Sequence, residues 1–288
     1  MTVIDAHVHL FSPSQRERRE ELTARDETFA EMYGDPKAKM AALQELERAM
    51  DEGGLDGAVA CGFAFAAERD LAEQNRYLLS AKGMSGGRVA VLATVNPALS
   101  GWERTAEAAL AGGARGFGEL RPRSQGWDPL GPAGHALCSF ADEHGAVLLW
   151  HVSEPVGHAY AGKTGGVAPA ELIELATAHQ GVRMVAAHLG GGLSFYLQMP
   201  EVRQAIGNIY FDTAAVSLLY DEASITRLVE IAGERRVLFA SDYPLLSPRR
   251  QLGRVRAVLD EKAAREVCGG NAGSLFFHSP PRRGASAD

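Results

Sequence analysis

The sequence predicts an α/β protein, a single (β/α)8 TIM barrel with an insertion after its first strand, and three observations carry that prediction. Eight short aliphatic runs recur along the 288 residues, each followed by an amphipathic stretch. The runs are continuous rather than alternating, as in Ala146-Val147-Leu148-Leu149-Trp150, which implies burial on both faces, as for parallel strands wrapped by helices. Five of them end in His, Glu or Asp, and a closed barrel brings the C-terminal ends of all its strands to one mouth. A doubly wound open sheet is the structural rival, but eight even βα units with no break favour closure.

In chain order, strands are expected at residues 2–7, 57–61, 88–95, 115–120, 146–151, 182–188, 208–212 and 236–242. Apolar residues at three-and-four spacing predict helices over 37–51, 69–82, 103–111, 133–143, 169–179, 193–205, 221–232 and 248–267. Pro169 and Pro248 suit a first helical turn, while Gly53, Gly145, Gly181 and Gly233 suit helix ends. Residues 11–34, rich in Arg and Glu, interrupt the passage from the first strand to its helix, and their position marks them as a candidate lid. The barrel is expected to occupy 1–278, with 279–288, a short Pro/Gly/Ser-rich segment, as a disordered tail.

Composition excludes several classes. Hydrophobic residues at 46% and charged residues at 23% are ordinary globular values, which rules out a disordered, collagenous or coiled-coil chain. A net charge of −7 argues against a nucleic-acid or anionic-membrane binder. The basic clusters at 16–19, 235–236, 249–250 and 282–283 read as solvated faces. Three cysteines, Cys61, Cys138 and Cys268, form no paired spacing and fit a reducing compartment. With neither a signal-like start nor an apolar run of membrane-spanning length, the expectation is a cytoplasmic protein acting on a small molecule. A homo-oligomer is compatible with the sequence, which leaves the assembly open.

The chemistry concentrates at strand ends. The first run contains Asp5-Ala6-His7-Val8-His9, where alternation puts His7 and His9 on one side, within reach of one metal ion. The fourth ends in Glu119, the fifth in His151, the sixth in His188 and the eighth in Ser241-Asp242-Tyr243-Pro244. A lone strand-end histidine is more often structural than ligating; five strand ends carrying ligand types in one mouth predict a metal site. His135, His144 and His179 fall within or at the ends of helices and read as surface residues.

This pattern resembles the amidohydrolase superfamily. The Asp5 to His9 opening, the insertion after it, the Ser241 to Pro244 segment and the closing Gly270-Asn271-Ala272-Gly273-Ser274-Leu275-Phe276 are similar to the branch called amidohydrolase-2, which includes aminocarboxymuconate semialdehyde decarboxylase-like enzymes. The resemblance implies that His7, His9, His151 and Asp242 bind a primary divalent metal, zinc by expectation. It implies that His188 binds a second metal or polarises the substrate, and that Glu119 bridges two metals. Glu119 could instead pair with Arg121. A bridging Glu119 tilts the expected activity toward hydrolysis of a C–N or C–O bond in a small anionic substrate, with one or two Zn2+ ions. Metal-activated water would be the nucleophile and Asp242 the proton shuttle. The alternative is a zinc-dependent non-oxidative decarboxylase of aromatic or muconate-like acids.

Residues 157–164 match the P-loop pattern letter for letter, but two glycines follow and no helix is expected until Pro169, so phosphate cradling is not predicted. As a loop above the fifth strand this segment offers His158, Tyr160 and Lys163 as substrate contacts, alongside Arg121. Gly190, Gly191 and Gly192 could present amides to an anion or simply let the chain turn. Gly83-Met84-Ser85-Gly86-Gly87 matches Gly-x-Ser-x-Gly in letters, but it follows an expected helix and precedes an expected strand, the reverse of a nucleophile elbow, so covalent serine catalysis has no support.

Overall fold

Eight parallel strands follow one another around the molecule: β1 (Ile4–His9), β2 (Gly57–Cys61), β3 (Val89–Leu92), β4 (Gly116–Leu120), β5 (Val147–Trp150), β6 (Arg183–Ala186), β7 (Ile209–Asp212) and β8 (Val237–Leu238). Regular pairing runs β1-β2-β3 and β4-β5-β6-β7-β8, and backbone bonds close both seams. Between β3 and β4, Ala93 N donates to Gly116 O at 2.9 Å and Gly118 N to Ala93 O at 3.0 Å. Between β1 and the chain leaving β8, Ala6 N donates to Phe239 O at 2.8 Å and Asp242 N to His7 O at 3.0 Å. The expected (β/α)8 barrel is the fold. This computed structural model describes residues 1–278; the tail expected over 279–288 lies outside the described residues.

Strand alternation explains why the runs read as continuously apolar. Leu148, Trp150, Met184 and Phe211 face outward into the layer between strands and helices, while Leu149, Val185, Val59 and Leu92 face the barrel interior. The interior is completed by Ala272, which links wide-turned helical segments at Glu266–Gly270 and Gly273–Phe277, and by Leu275 and Phe276 on the second of them. These segments meet the strand starts: a Cβ on Gly57 would touch the Phe277 ring at 3.1 Å, and Arg115 Nη2 donates to Phe277 O at 3.3 Å. The N-terminal end is thus plugged with hydrocarbon.

Two irregularities aim side chains at the other end. The β1–β2 register slips between Asp5 and Val8, and the β4–β5 register slips between Phe117 and Leu120. Bulge-like slips re-direct side chains, and these two span His7 and Glu119. β4 can lie this close to β5 because position 116 is glycine, where a Cβ would fall 1.9 Å from Val147 O.

Several expected helices differ in extent. The helix expected over 37–51 starts only at Leu43, in Leu43–Gly53, because residues 37–42 pass across the mouth instead. The 193–205 stretch divides into Leu193–Tyr196 and Pro200–Ala205, since Pro200 has no amide proton to continue the first helix. The 248–267 stretch divides into Pro248–Val258 and Glu261–Arg265, the second capped by Asp260 Oδ1 accepting from Ala263 N at 2.7 Å.

The insertion forms three short helices, Pro13–Glu17, Arg19–Thr23 and Glu27–Tyr33. Phe11, Leu22, Phe29 and Tyr33 make a small core with Phe63, Phe65 and Leu71 from beyond β2. The Phe29 ring meets Phe63 edge-on at 5.2 Å and stacks on Phe65 at 5.5 Å. The basic cluster at 16–19 keeps a solvated face, with the Arg16 and Arg18 side chains 37% and 34% exposed, and also stitches this unit down. Arg16 Nη1 donates to Glu45 at 2.8 Å, Arg18 pairs with Glu73, and Arg19 Nη2 donates to Ala38 O at 2.8 Å.

Candidate metal centre and substrate cavity

Six side chains from five strand ends converge at the mouth. His7 Nε2 and His9 Nε2 lie 3.1 Å apart, and Asp242 Oδ1 is 3.4 Å from His9 Nε2. Glu119 Oε1 is 2.9 Å from His151 Nδ1 and 3.3 Å from His188 Nε2, and its two oxygens lie 4.0 and 3.8 Å from the Nε2 atoms of His7 and His9. The donors form two triads, His7–His9–Asp242 and Glu119–His151–His188. The resemblance implies His151 as a ligand beside His7, His9 and Asp242; its ring lies nearest Glu119 and His188. Its Nδ1 turns to that carboxylate, and Ser153 Oγ takes its Nε2 at 2.9 Å. Among the described residues, no ion pair joins Glu119 to Arg121: the carboxylate is engaged by imidazoles.

The backs of the first two rings settle how they present themselves. His7 Nδ1 faces Asp212 Oδ2 at 2.9 Å, and His9 Nδ1 faces Gly62 O at 3.3 Å. Both partners only accept, so each ring donates from Nδ1 and, whenever it is neutral, turns an Nε2 lone pair inward. Two such lone pairs repel unless a positive charge lies between them. An ion held at about 2.0–2.2 Å by imidazole and carboxylate brings donors to roughly 3 Å from one another, as they are here. The donor set fits a divalent metal ion.

Local backbone conformation serves the same end. His188, Leu189 and Asp242 have φ of 58°, 55° and 63°, left-handed values unusual for residues with side chains. His188 holds its turn because its N–H donates to Asp212 Oδ1 at 2.9 Å and its Nδ1 donates to Ala214 O at 3.1 Å. Strain of this kind, about 1–3 kcal/mol per residue, persists where the surroundings over-determine the conformation and collects at functional sites.

The protein groups alone set up opposed protonation. Burial would depress His7, but Asp212 outweighs it and raises the ring to about 10. Burial would depress His188 too, and its hydrogen bond with Glu119 raises it to about 9. His151 goes down to about 4, through burial and the nearby Arg121 cation. Burial would raise both carboxylates, yet His9 and its neighbours bring Asp242 down to about 2, and His151 and His188 hold Glu119 well below the usual carboxylate range. At neutral pH the two carboxylate anions are thus balanced by the His7 and His188 cations, so a divalent ion would enter by displacing protons from the rings.

Above the cluster opens a cavity of about 580 Å³, ordinary for a small-molecule site. His9, Glu119, His151, His188 and Asp242 form its floor; Met32, Tyr33, Leu218 and Leu245 contribute apolar wall. Met32 and Tyr33 come from the insertion, so that segment does roof the site. Arg121 lines the cavity while 2% exposed; its Nη2 donates to Thr164 O, and its buried Nη1 has no partner. His158 and Tyr160 also line it, with Tyr160 Oη donating to Glu154 at 3.1 Å. Lys163, expected as a substrate contact, does not: its Nζ donates to Val156 O and His158 O at 2.6 and 2.8 Å within its own loop. The P-loop-like segment carries no helix start, the next helix being Pro169–Ala178.

Sequence reasoning missed Asp212, Lys37 and Lys39, the last two lining the cavity from the crossing segment. Asp212 ends the seventh run as Asp242 follows the eighth, and that shared position was the available signal.

A family model described as amidohydrolase matches residues 4–277. No curated protein sequence matches significantly. Among solved structures, the chain is similar to 5-carboxyvanillate decarboxylase from Sphingomonas paucimobilis, with 18% identity, a TM-score of 0.76, and 96% of this chain and 98% of that one covered. It is similar to dihydroxybenzoic acid decarboxylase from Polaromonas sp. JS666, solved with manganese and 2-nitroresorcinol, at 14% identity, TM-score 0.72 and 96% coverage of both chains. A candidate 2-pyrone-4,6-dicarboxylic acid hydrolase from Pseudomonas putida shows 18% identity, TM-score 0.67, and coverage of 96% of this chain and 97% of that one. At these identities the structural likeness speaks to the fold.

Proposed function

The chain belongs to the amidohydrolase family, and from that premise we propose that it is a divalent-metal-dependent, non-oxidative decarboxylase of a small aromatic or muconate-like acid. The observation that carries this reading is the cavity: apolar wall, an ionisable floor, and one buried guanidinium nitrogen, Arg121 Nη1, left without a partner. An unpaired buried donor is costly, and a substrate carboxylate satisfies it. Two of the structural relatives described above are decarboxylases of aromatic acids, one of them solved with manganese. Hydrolysis, the first expectation from Glu119, gives way because that carboxylate is engaged by His151 and His188.

His7, His9 and Asp242 would hold the metal, zinc or manganese, with Glu119 beside them. When bound, the ion supplies Lewis acidity toward an oxygen of the substrate. Arg121 anchors the carboxylate, and Met32, Tyr33, Leu218 and Leu245 exclude water, which strengthens every electrostatic contact inside. His188, whose Nε2 lies 3.3 Å from Glu119 Oε1, would pass a proton to the carbon that loses CO2. As the C–C bond breaks, its electron pair stays on that carbon and takes up the proton. The acid R–COO⁻ plus H⁺ becomes R–H plus CO2, with no oxidant.

One observation favours a second reading. Glu119 belongs to one triad and its oxygens lie 4.0 and 3.8 Å from His7 and His9 of the other, an arrangement compatible with two ions and hence with metal-assisted hydrolysis. Incubating the Mn2+-loaded protein with a panel of hydroxybenzoates and muconate-like acids in D2O separates the two. Decarboxylation is expected to release CO2 and leave one deuterium on the vacated carbon. Conversion by water addition without CO2 release, at two ions per chain, would replace decarboxylation with hydrolysis.

A further inference from the structure

We propose that Asp212 is a positioning residue whose acceptor-only carboxylate fixes His7 in the Nδ1–H tautomer, keeping Nε2 available to a divalent cation. The inference rests on the metal-centre reading above and extends it to a residue behind the centre. Asp212 ends β7, and both it and His7 are 0% exposed. Its Oδ2 faces His7 Nδ1 at 2.9 Å, across a separation of 205 residues in the chain. Its Oδ1 accepts from His188 N at 2.9 Å and from Ala214 N at 3.0 Å. One carboxylate therefore serves three donors from three directions, and the two oxygens divide the work between a ring on β1 and the turn after β6.

That division makes the residue irreplaceable by its closest isostere. Asparagine has one acceptor and one donor end. With its oxygen toward the two backbone amides, its NH2 faces His7 Nδ1. The ring must then accept there and carry its proton on Nε2, the atom 3.1 Å from His9 Nε2. With the amide reversed, a donor meets two buried backbone donors, an arrangement the fold penalises. The first orientation is favoured and inverts the His7 tautomer. His9 offers a contrast inside the same site, because its Nδ1 partner is the Gly62 carbonyl, which a substitution at Asp212 leaves in place. Supporting carboxylates behind ligating histidines commonly act in this way.

The test compares wild type, Asp212→Asn and Asp212→Ala. Nitrogen-15 spectra of histidine-labelled protein without added metal, followed to above pH 10 where the His7 ring is neutral, report the tautomers, and Zn2+ titration by calorimetry reports affinity. His7 is expected with its proton on Nδ1 in wild type and on Nε2 in Asp212→Asn, with His9 unchanged. Asp212→Asn should bind Zn2+ roughly 10–100-fold more weakly than wild type, and more weakly than Asp212→Ala, which removes the opposing donor. A merely structural role predicts the reverse order, with the isosteric Asn the milder change. An unchanged His7 tautomer in Asp212→Asn, or Zn2+ affinity within twofold of wild type, overturns the proposal. If Asp212→Ala does not fold, the tautomer in Asp212→Asn decides alone. Wild-type protein that takes up no Zn2+ would overturn the metal-centre reading itself, whatever the tautomer.

Discussion

The two ends of the barrel are built from the same eight strands and put them to opposite uses. At the N-terminal end Ile4, Val59, Leu92, Leu149, Val185 and Leu238 meet Leu275 and Phe276 in a hydrocarbon plug. At the other end β1, β5, β6 and β8, two to four residues further on, together with β4, deliver His7, Glu119, His151, His188 and Asp242 into one cluster. Burying apolar surface stabilises by about 25 cal/mol per Å². Crowding ionisable groups at low exposure does not, because desolvation opposes their mutual attraction. The barrel shows stability and chemistry separated along one axis, with a length of strand between them.

Substitution at each end should make that separation measurable. The largest effect is expected at the mouth. His7→Ala with His9→Ala should lose about 100-fold or more in Mn2+ affinity, exceeding the roughly 10–100-fold cost of removing a supporting residue. Its melting temperature in chelator should stay level or rise. A fall in melting temperature as large as that caused by a plug substitution would break the distinction. At the floor, Phe276→Ala should cost about 3–5 kcal/mol of unfolding free energy in urea, with Mn2+ affinity of the folded protein unchanged. A metal affinity that fell with stability would show the two ends to be coupled. The smallest effect is expected from Lys163→Ala, at the rim but turned into its own loop: stability within about 0.5 kcal/mol and an unaltered KM. A KM rise of an order of magnitude would return Lys163 to the substrate contacts.

The strands were the most legible part of the chain, because residues such as Leu148 and Leu149 are apolar on both faces and the pattern needs no tertiary knowledge. The clean break at Pro200 was also readable in principle, since proline cannot continue a helix. Residues 37–42 were not: nothing local says that a chain of lysine and alanine will cross a mouth instead of starting a helix. In the site, residue types at strand ends located the donors, but not their partition. His151 joined Glu119 because Ser153 took its other nitrogen, a preference set by geometry between elements. Asp212 escaped notice for a similar reason, as its partner lies 205 residues away.

The aromatic nucleus of the insertion has a consequence for how ligands are received. A roof made of loose chain would have to be immobilised each time a molecule entered, at about 1–2 kcal/mol per ordered residue. Here Phe11, Phe29, Tyr33, Phe63 and Phe65 already hold the three short helices against the barrel, and Glu31 accepts from Gly162 N at 2.9 Å on the far side of the opening. The entropy of shaping the roof is lost when the protein folds, not when it binds. Recognition then selects guests by fit to a standing contour, with little ordering cost at each binding event.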